Sequence, residues 1–297
     1  MEPLFSRKCH FYDRKYRGTS IALSRATMYL ADFKIHSTFS DGSYSIPEIV
    51  DIYGARGFGA IAITDRVCDE TTVLGRAAQY MNRSLIRANV ALYIKILRSE
   101  IERAWHDYRM LVLPGFEYSQ SFGLNQSALR ISCIADSSPA GLEGLYNTLA
   151  YIDPARSGAT MLDVVNSMRR EGAANSLITA APTRILWERR AQYEGLFDAW
   201  EVTQSGALSD TVLRSSLPKI AGSGFRKLNQ MASWKTVLLN TSSAAAVIAA
   251  VKAREVGFML FRGSSHDVSS GVHSSGVGGG AGQLTSLRNV VVTQAFW

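Results

Sequence analysis

The chain has 297 residues, 46% hydrophobic and 19% charged, which is enough apolar material for one barrel-sized domain and excludes wholesale disorder. No apolar run approaches the roughly 18 residues that a membrane helix needs, so a membrane span is excluded. The formal net charge of +7 suits an anionic partner (nucleic acid, a phosphorylated ligand or an acidic neighbouring subunit) or simply a basic surface.

Residues 1–27 form a basic arm, with Arg7, Lys8, Arg14, Lys15, Arg17 and Arg25 against Glu2 and Asp13. Its composition fits organelle targeting or an ordinary basic arm, and it lacks the pattern of a secretory signal. Met28–His36 reads as a first strand. Ser45-Ile46-Pro47-Glu48 is a helix start: Ser45 caps, Pro47 suits the first turn, and Glu48 completes a capping box. Arg56-Gly57 closes that helix. Ala60–Thr64 is a near-continuous apolar run, as in a parallel strand covered on both faces.

Leu85–Tyr108 is the clearest helix, with Val90, Tyr93, Ile94, Leu97 and Ile101 among the apolar residues at helical spacing. Met110–Leu113 is a third strand, ended by Pro114-Gly115-Phe116-Glu117, and Ala128–Ala135 a fourth. Leu145–Ile152 is helical or irregular, and Met161–Arg170 is a helix closed by Gly172. Further strands are expected at Ser176–Ala180, Leu196–Val202, Leu217–Ala221, Trp234–Leu239 and Gly257–Arg262, with a helix at Ala244–Arg254. About seven strand–helix units imply an α/β fold with a mostly parallel sheet, closed or nearly closed into a barrel over residues 28–262. Residues 263–297 are a Gly/Ser-rich tail ending in the β-prone Asn289–Trp297. Such an end docks on its own chain or adds to a partner's sheet edge.

Cys9, Cys68 and Cys133 form no close pair and no metal spacing, which argues for a reducing compartment. That places the chain inside the cell, in the cytoplasm or in an organelle such as the mitochondrion. No phosphate-binding glycine loop and no nucleophile elbow is present. Cys68 follows Arg66 and reads as a buried thiol rather than a reactive one. His10, His106, His266 and His273 have no partner at metal spacing.

The stretch Asp32-Phe33-Lys34-Ile35-His36-Ser37-Thr38-Phe39-Ser40-Asp41-Gly42, followed by Ala62-Ile63-Thr64-Asp65-Arg66, places polar residues at the ends of two strands. A β/α barrel puts such residues at its mouth. This stretch resembles the opening of the PHP (polymerase and histidinol phosphatase) family. The resemblance continues in Pro114–Glu117, Leu196–Val202 and Ala221–Leu238, and implies a distorted (β/α)7 TIM-like barrel. Active members hold two or three divalent metals at the mouth for phosphate-ester hydrolysis.

Carried over by position, the resemblance retains His36, Asp41, Asp65 and Glu117. The family's histidines are replaced by Lys34, Arg66, Arg130, Ala181 and Arg226, and its closing-motif aspartate by Gly224. Alanine and glycine side chains offer no lone pair, and protonated lysine and arginine only donate. A unit charge about 4 Å from a divalent ion costs roughly 8 kcal/mol at an effective dielectric near 20. The expectation is therefore a pseudoenzyme with no catalytic residues and no bound metal, retained as a structural or binding subunit of a larger assembly. Lys34, Arg66, Arg130 and Arg226 would neutralise Asp41, Asp65 and Glu117. The alternatives are a metal-dependent phosphoesterase or nuclease using Zn or Mn at a reduced site, and a nucleic-acid or phosphate-ligand binding module.

Overall fold

The fold comes from a computed structural model, which describes residues 28–262 apart from 69–76, 79, 82, 121–128, 153–159, 172–174 and 205–206. The basic arm, the Gly/Ser-rich tail, Cys9, Gly172 and the histidines at 10, 266 and 273 lie outside the described residues.

Seven strands form a ring: β1 (Met28–Ile35), β2 (Ala60–Cys68), β3 (Leu111–Gln120), β4 (Leu129–Ala135), β5 (Ser176–Ala180) and β6 (Ala199–Glu201), with β9 (Lys219–Ile220) beside β6. The segment after β9 closes the ring. Phe225 N–H donates to the Lys34 carbonyl at 3.0 Å, and His36 N–H to the Phe225 carbonyl at 2.8 Å. Thr236 bridges the same seam, its hydroxyl accepting from Ala221 N–H at 2.8 Å and donating to the Ala221 carbonyl at 3.0 Å. A small hairpin, β7 (Thr203–Gln204) and β8 (Ala207–Leu208), lies between β6 and β9 in sequence. The pair β10 (Ser233–Leu239) and β11 (Val256–Phe261) extends the sheet antiparallel from β1. The fold is a distorted TIM-like α/β barrel.

The expected mostly parallel sheet is corrected to a mixed one. Within the ring β4 runs against both β3 and β5, and β10 runs against β1 and β11. Only residues 121–128 separate β3 from β4, too few for the crossover that parallel neighbours require. Two strands also run further than their apolar cores: β2 through Asp65-Arg66, and β3 through Pro114-Gly115. At Gly115 a Cβ would lie 2.6 Å from the Cys133 carbonyl, so only glycine lets β4 approach β3 there. Leu196–Phe197 is not strand, since a 3-10 turn covers Glu194–Leu196 and β6 begins at Ala199.

Helix α1 (Ile46–Gly54) carries the expected capping box. Helix α2 (Arg87–Tyr108) buries Val90, Tyr93, Ile94 and Leu97 against the outer face of the ring. Helix α3 (Pro139–Tyr151) is longer than the segment expected from Leu145, because Ser138 caps it by accepting from Gly141 N–H. Helix α4 (Met161–Glu171) follows. The Ala-rich helix α5 (Ala244–Lys252) packs on the opposite layer. Ala244, Val247, Ile248 and Val251 cluster with Ala31, Ala60, Leu113, Leu177, Ala199 and Ile220, one set from each of six ring strands. This helix floors the barrel at the strands' N-terminal ends.

Candidate functional site

The other end of the ring is polar. Residues alternate across a strand, but the β1–β2 register shifts between Asp32 and Ile35. Phe33 joins the floor cluster, Ile35 the outer layer, and Lys34 and His36 turn toward the mouth. From β3 comes Glu117, and from the end of β6 comes Glu201.

Lys34 joins these two acids. Its Nζ lies 2.6 Å from Glu117 Oε2 and 2.7 Å from Glu201 Oε2. With Glu117 the ammonium forms a close ion pair, and to Glu201 it donates a hydrogen bond. Burial works against the ammonium, but Glu117 and Glu201 hold its pKa above the ordinary value. Glu201 also accepts from Ser132 Oγ at 2.9 Å and Thr179 Oγ1 at 3.2 Å. Arg66 spans two acids, with Nε 2.9 Å from Glu117 Oε1 and Nη1 3.0 Å from Asp41 Oδ2. Arg226 Nε meets the same Asp41 oxygen at 2.7 Å, and its Nη1 donates to the Gly224 carbonyl at 3.1 Å. Burial opposes ionisation of Glu117, yet Lys34 and Arg66 push its carboxyl well below the usual range.

His36 is fully buried, with Nδ1 3.3 Å from Asp41 Oδ1 but poorly aligned to it, and burial depresses its pKa to about 3. The loop that presents Asp41 is tight: Gly42 N–H donates to the Ser37 carbonyl, and a Cβ on Gly42 would fall 2.1 Å from the His36 carbonyl oxygen.

Two expected members form no ion pair among the described residues, although the Arg130 charge still acts on Glu117. Among the described residues Asp65 meets no cation. Its Oδ1 accepts from Ser37 N–H at 2.7 Å and Ser40 Oγ at 2.5 Å, and its Oδ2 accepts from Ser37 Oγ at 2.6 Å. Three donors from one loop replace the expected ion pair. Arg130 is exposed, and among the described residues it forms no ion pair, because β4 enters the ring reversed and carries position 130 to the rim. Ala181 lies at the end of β5, its N–H donating to the Arg130 carbonyl. Cys68 is half-buried, and burial raises its pKa.

Glu201 was not among the candidates read from the sequence. Its signal was present, since it ends a strand of the Leu196–Val202 motif, but no cation marks it locally. A second buried cluster was also missed. Lys235 Nζ lies 2.7 Å from Asp32 Oδ2, with both side chains fully buried. Tyr53 and Ser223 hydroxyls donate to the same oxygen at 2.8 and 2.6 Å. This cluster lies under α1 at the seam of the ring.

Burial pushes the Asp65 carboxyl up to about 6. Because that lies above its ordinary value, Asp65 favours the fold most below about pH 4, and the contribution is lost as pH rises through about 6. His36 has the opposite sign: its contribution is complete above about pH 6.5 and is lost as pH falls toward 3. Asp65→Asn should therefore gain stability over the native chain as pH rises from 4 to 7, by at most about 3 kcal/mol. Urea denaturation at several pH values checks this. A loss that is the same at every pH contradicts it.

The residues present do not fit a metal cluster. Glu117 has an ammonium on one oxygen and a guanidinium on the other, and Asp41 Oδ2 has two guanidiniums. His36 and Asp41 Oδ1 remain, flanked by three cations of the chain itself, and the Asp65 oxygens are taken up by donors from Ser37 and Ser40. No group of three or more metal-ligating side chains is assembled among the described residues.

No protein-family model and no curated protein matches the chain. Among solved structures, it is similar to a two-domain protein from Bacteroides vulgatus containing a predicted PHP-like metal-dependent phosphoesterase. That match has 16% identity and a TM-score of 0.55, and covers 78% of this chain and 65% of that one. The chain thus spans less than two thirds of that protein's length. A candidate metal-dependent phosphoesterase from Bifidobacterium adolescentis matches at 14% identity and TM-score 0.37, over 66% of this chain and 87% of that one. An amidohydrolase from Chromobacterium violaceum matches at 16% identity and TM-score 0.35, with the same coverages of 66% and 87%. By its fold, the chain is a PHP-type barrel.

Proposed function

We propose that this barrel is a pseudoenzyme, a PHP-type fold whose mouth is closed by its own cations and which serves as a structural or binding subunit. The observation that carries the reading is Lys34 Nζ, seated between Glu117 and Glu201 at 2.6 and 2.7 Å. Glu117 is the position at which the family resemblance places a bridging carboxylate, and here both of its oxygens are engaged by the chain. Lys34, His36, Asp41, Asp65, Arg66, Glu117, Arg130, Ala181, Gly224 and Arg226 are then remnant positions of a metal site. In an active barrel of this type the metals would activate water and clamp the phosphate ester. Here two of the carboxylates that would bind them, Glu117 and Asp41, are paired internally with Lys34, Arg66 and Arg226.

Elemental analysis after purification without chelator tests the reading. The expected result is less than a tenth of an equivalent of Zn, Mn or Fe, and a melting temperature unmoved by chelator. A full equivalent of metal, or a large chelator-induced drop, overturns it in favour of the phosphoesterase. Native mass measurement in extracts from the source cells addresses the subunit role. A particle well above the monomer mass is expected, and a monomer under mild conditions contradicts the role.

A further inference from the structure

The cations of the mouth are mostly matched by carboxylates, and unmatched positive charge lies elsewhere. A cleft of about 350 Å³ is lined by Trp187, Arg190, Glu194, Arg214, Ser215 and Ser216. Glu194 precedes β6 and Ser215 precedes β9, so the cleft opens at the strands' N-terminal ends, away from Glu201.

The acid of the lining, Glu194, accepts from Trp200 Nε1 at 3.2 Å and keeps its charge, which the two arginines outnumber. Arg190 lies over the Trp187 ring at 4.8 Å and donates to the Trp187 carbonyl at 3.2 Å, which orients its guanidinium. Arg190 and Arg214 are exposed, and among the described residues neither forms an ion pair. Behind the cleft, the buried Lys219 donates, among the described residues, to the carbonyls of Ser215 at 2.7 Å and Leu217 at 3.1 Å. Its charge therefore adds to that of the two arginines. Ser215 Oγ accepts from Leu217 N–H at 3.2 Å and keeps its own proton to donate.

We propose that this cleft binds a small phosphate-bearing anion, held by the Arg190 and Arg214 guanidiniums and the Ser215 and Ser216 hydroxyls. Guanidinium forks match phosphate oxygens, and hydroxyl donors complete such a shell. The volume lies in the range of small-molecule sites and leaves room for an organic group beyond the phosphate. The site is independent of the mouth and of the reading given to it.

The test is calorimetric titration of the full chain at low salt with inorganic phosphate and with phenyl phosphate. Saturable binding is expected, weakened about tenfold or more in Arg214→Ala and in Arg190→Lys, and unchanged in the mouth variant Arg130→Ala. Tighter binding of phenyl phosphate assigns a phosphomonoester, and equal binding assigns the phosphate itself. A native near-ultraviolet dichroism signal from the tryptophans shows that each cleft variant keeps its fold. The proposal is overturned if neither probe saturates, if chloride at equal ionic strength does the same, or if only Arg130→Ala loses binding.

Discussion

Lys235→Met is expected to cost about 3–5 kcal/mol of stability, the range for removing one partner of a buried ion pair. Lys235 and Asp32 are both fully buried, 2.7 Å apart. Without the ammonium, Asp32 keeps hydrogen bonds from Tyr53, Ser223 N–H and Ser223 Oγ but has no countercharge. These residues come from four places: β1, α1, the segment after β9, and β10. The pair therefore lies where the ring closes, and its loss falls on the closure itself. Asp32→Asn should be similarly harmful. The double variant Asp32→Asn/Lys235→Met should recover much of the loss, since both charges are then gone. Urea denaturation of the two single variants and the double variant gives the coupling. Single losses below about 1 kcal/mol, or strictly additive ones, would remove the seam from the account.

Lys34→Met should be the most damaging change at the mouth, again by about 3–5 kcal/mol near neutral pH. Glu117 would keep Arg66, and Glu201 would keep its two hydroxyl donors, but the two carboxylates would lose the cation between them. The variant lacks the ammonium that most strongly holds the Glu117 carboxyl down, so the loss should shrink as pH falls and Glu117 takes up a proton. In the native chain the depressed pKa of Glu117 gives stability above about pH 4.5 that is lost on acidification. Denaturation midpoints of the two proteins should therefore converge toward acid pH. A penalty that is constant with pH would mean that Lys34 acts by packing alone.

Local features could be read from neighbouring residues. Ser45 and Glu48 announced a capping box and formed one, and Ser176–Ala180 was bounded correctly by its apolar run. The PHP-type barrel was legible because several short motifs recur in order, each ending an apolar strand in polar residues. Cationic side chains at positions 34, 66 and 226 were legible as residue types, and so was their inability to ligate a cation.

What the sequence by itself determined was thus the strand–helix grammar and the chemical character of the mouth. Only the tertiary structure decided which charge meets which. Glu201 lies 167 residues from Lys34 and Lys235 lies 203 residues from Asp32, so nothing local links either pair. The shift in register between Asp32 and Ile35 turns Lys34 into the mouth and leaves Asp32 under α1. The reversal of β4 carries Arg130 to the rim, and the tight loop at Ser37–Gly42 gives Asp65 hydroxyls in place of a cation. Hydrophobic patterning specifies that a strand is buried. Register and ring closure specify which atoms face each other across it, and these depend on every strand at once.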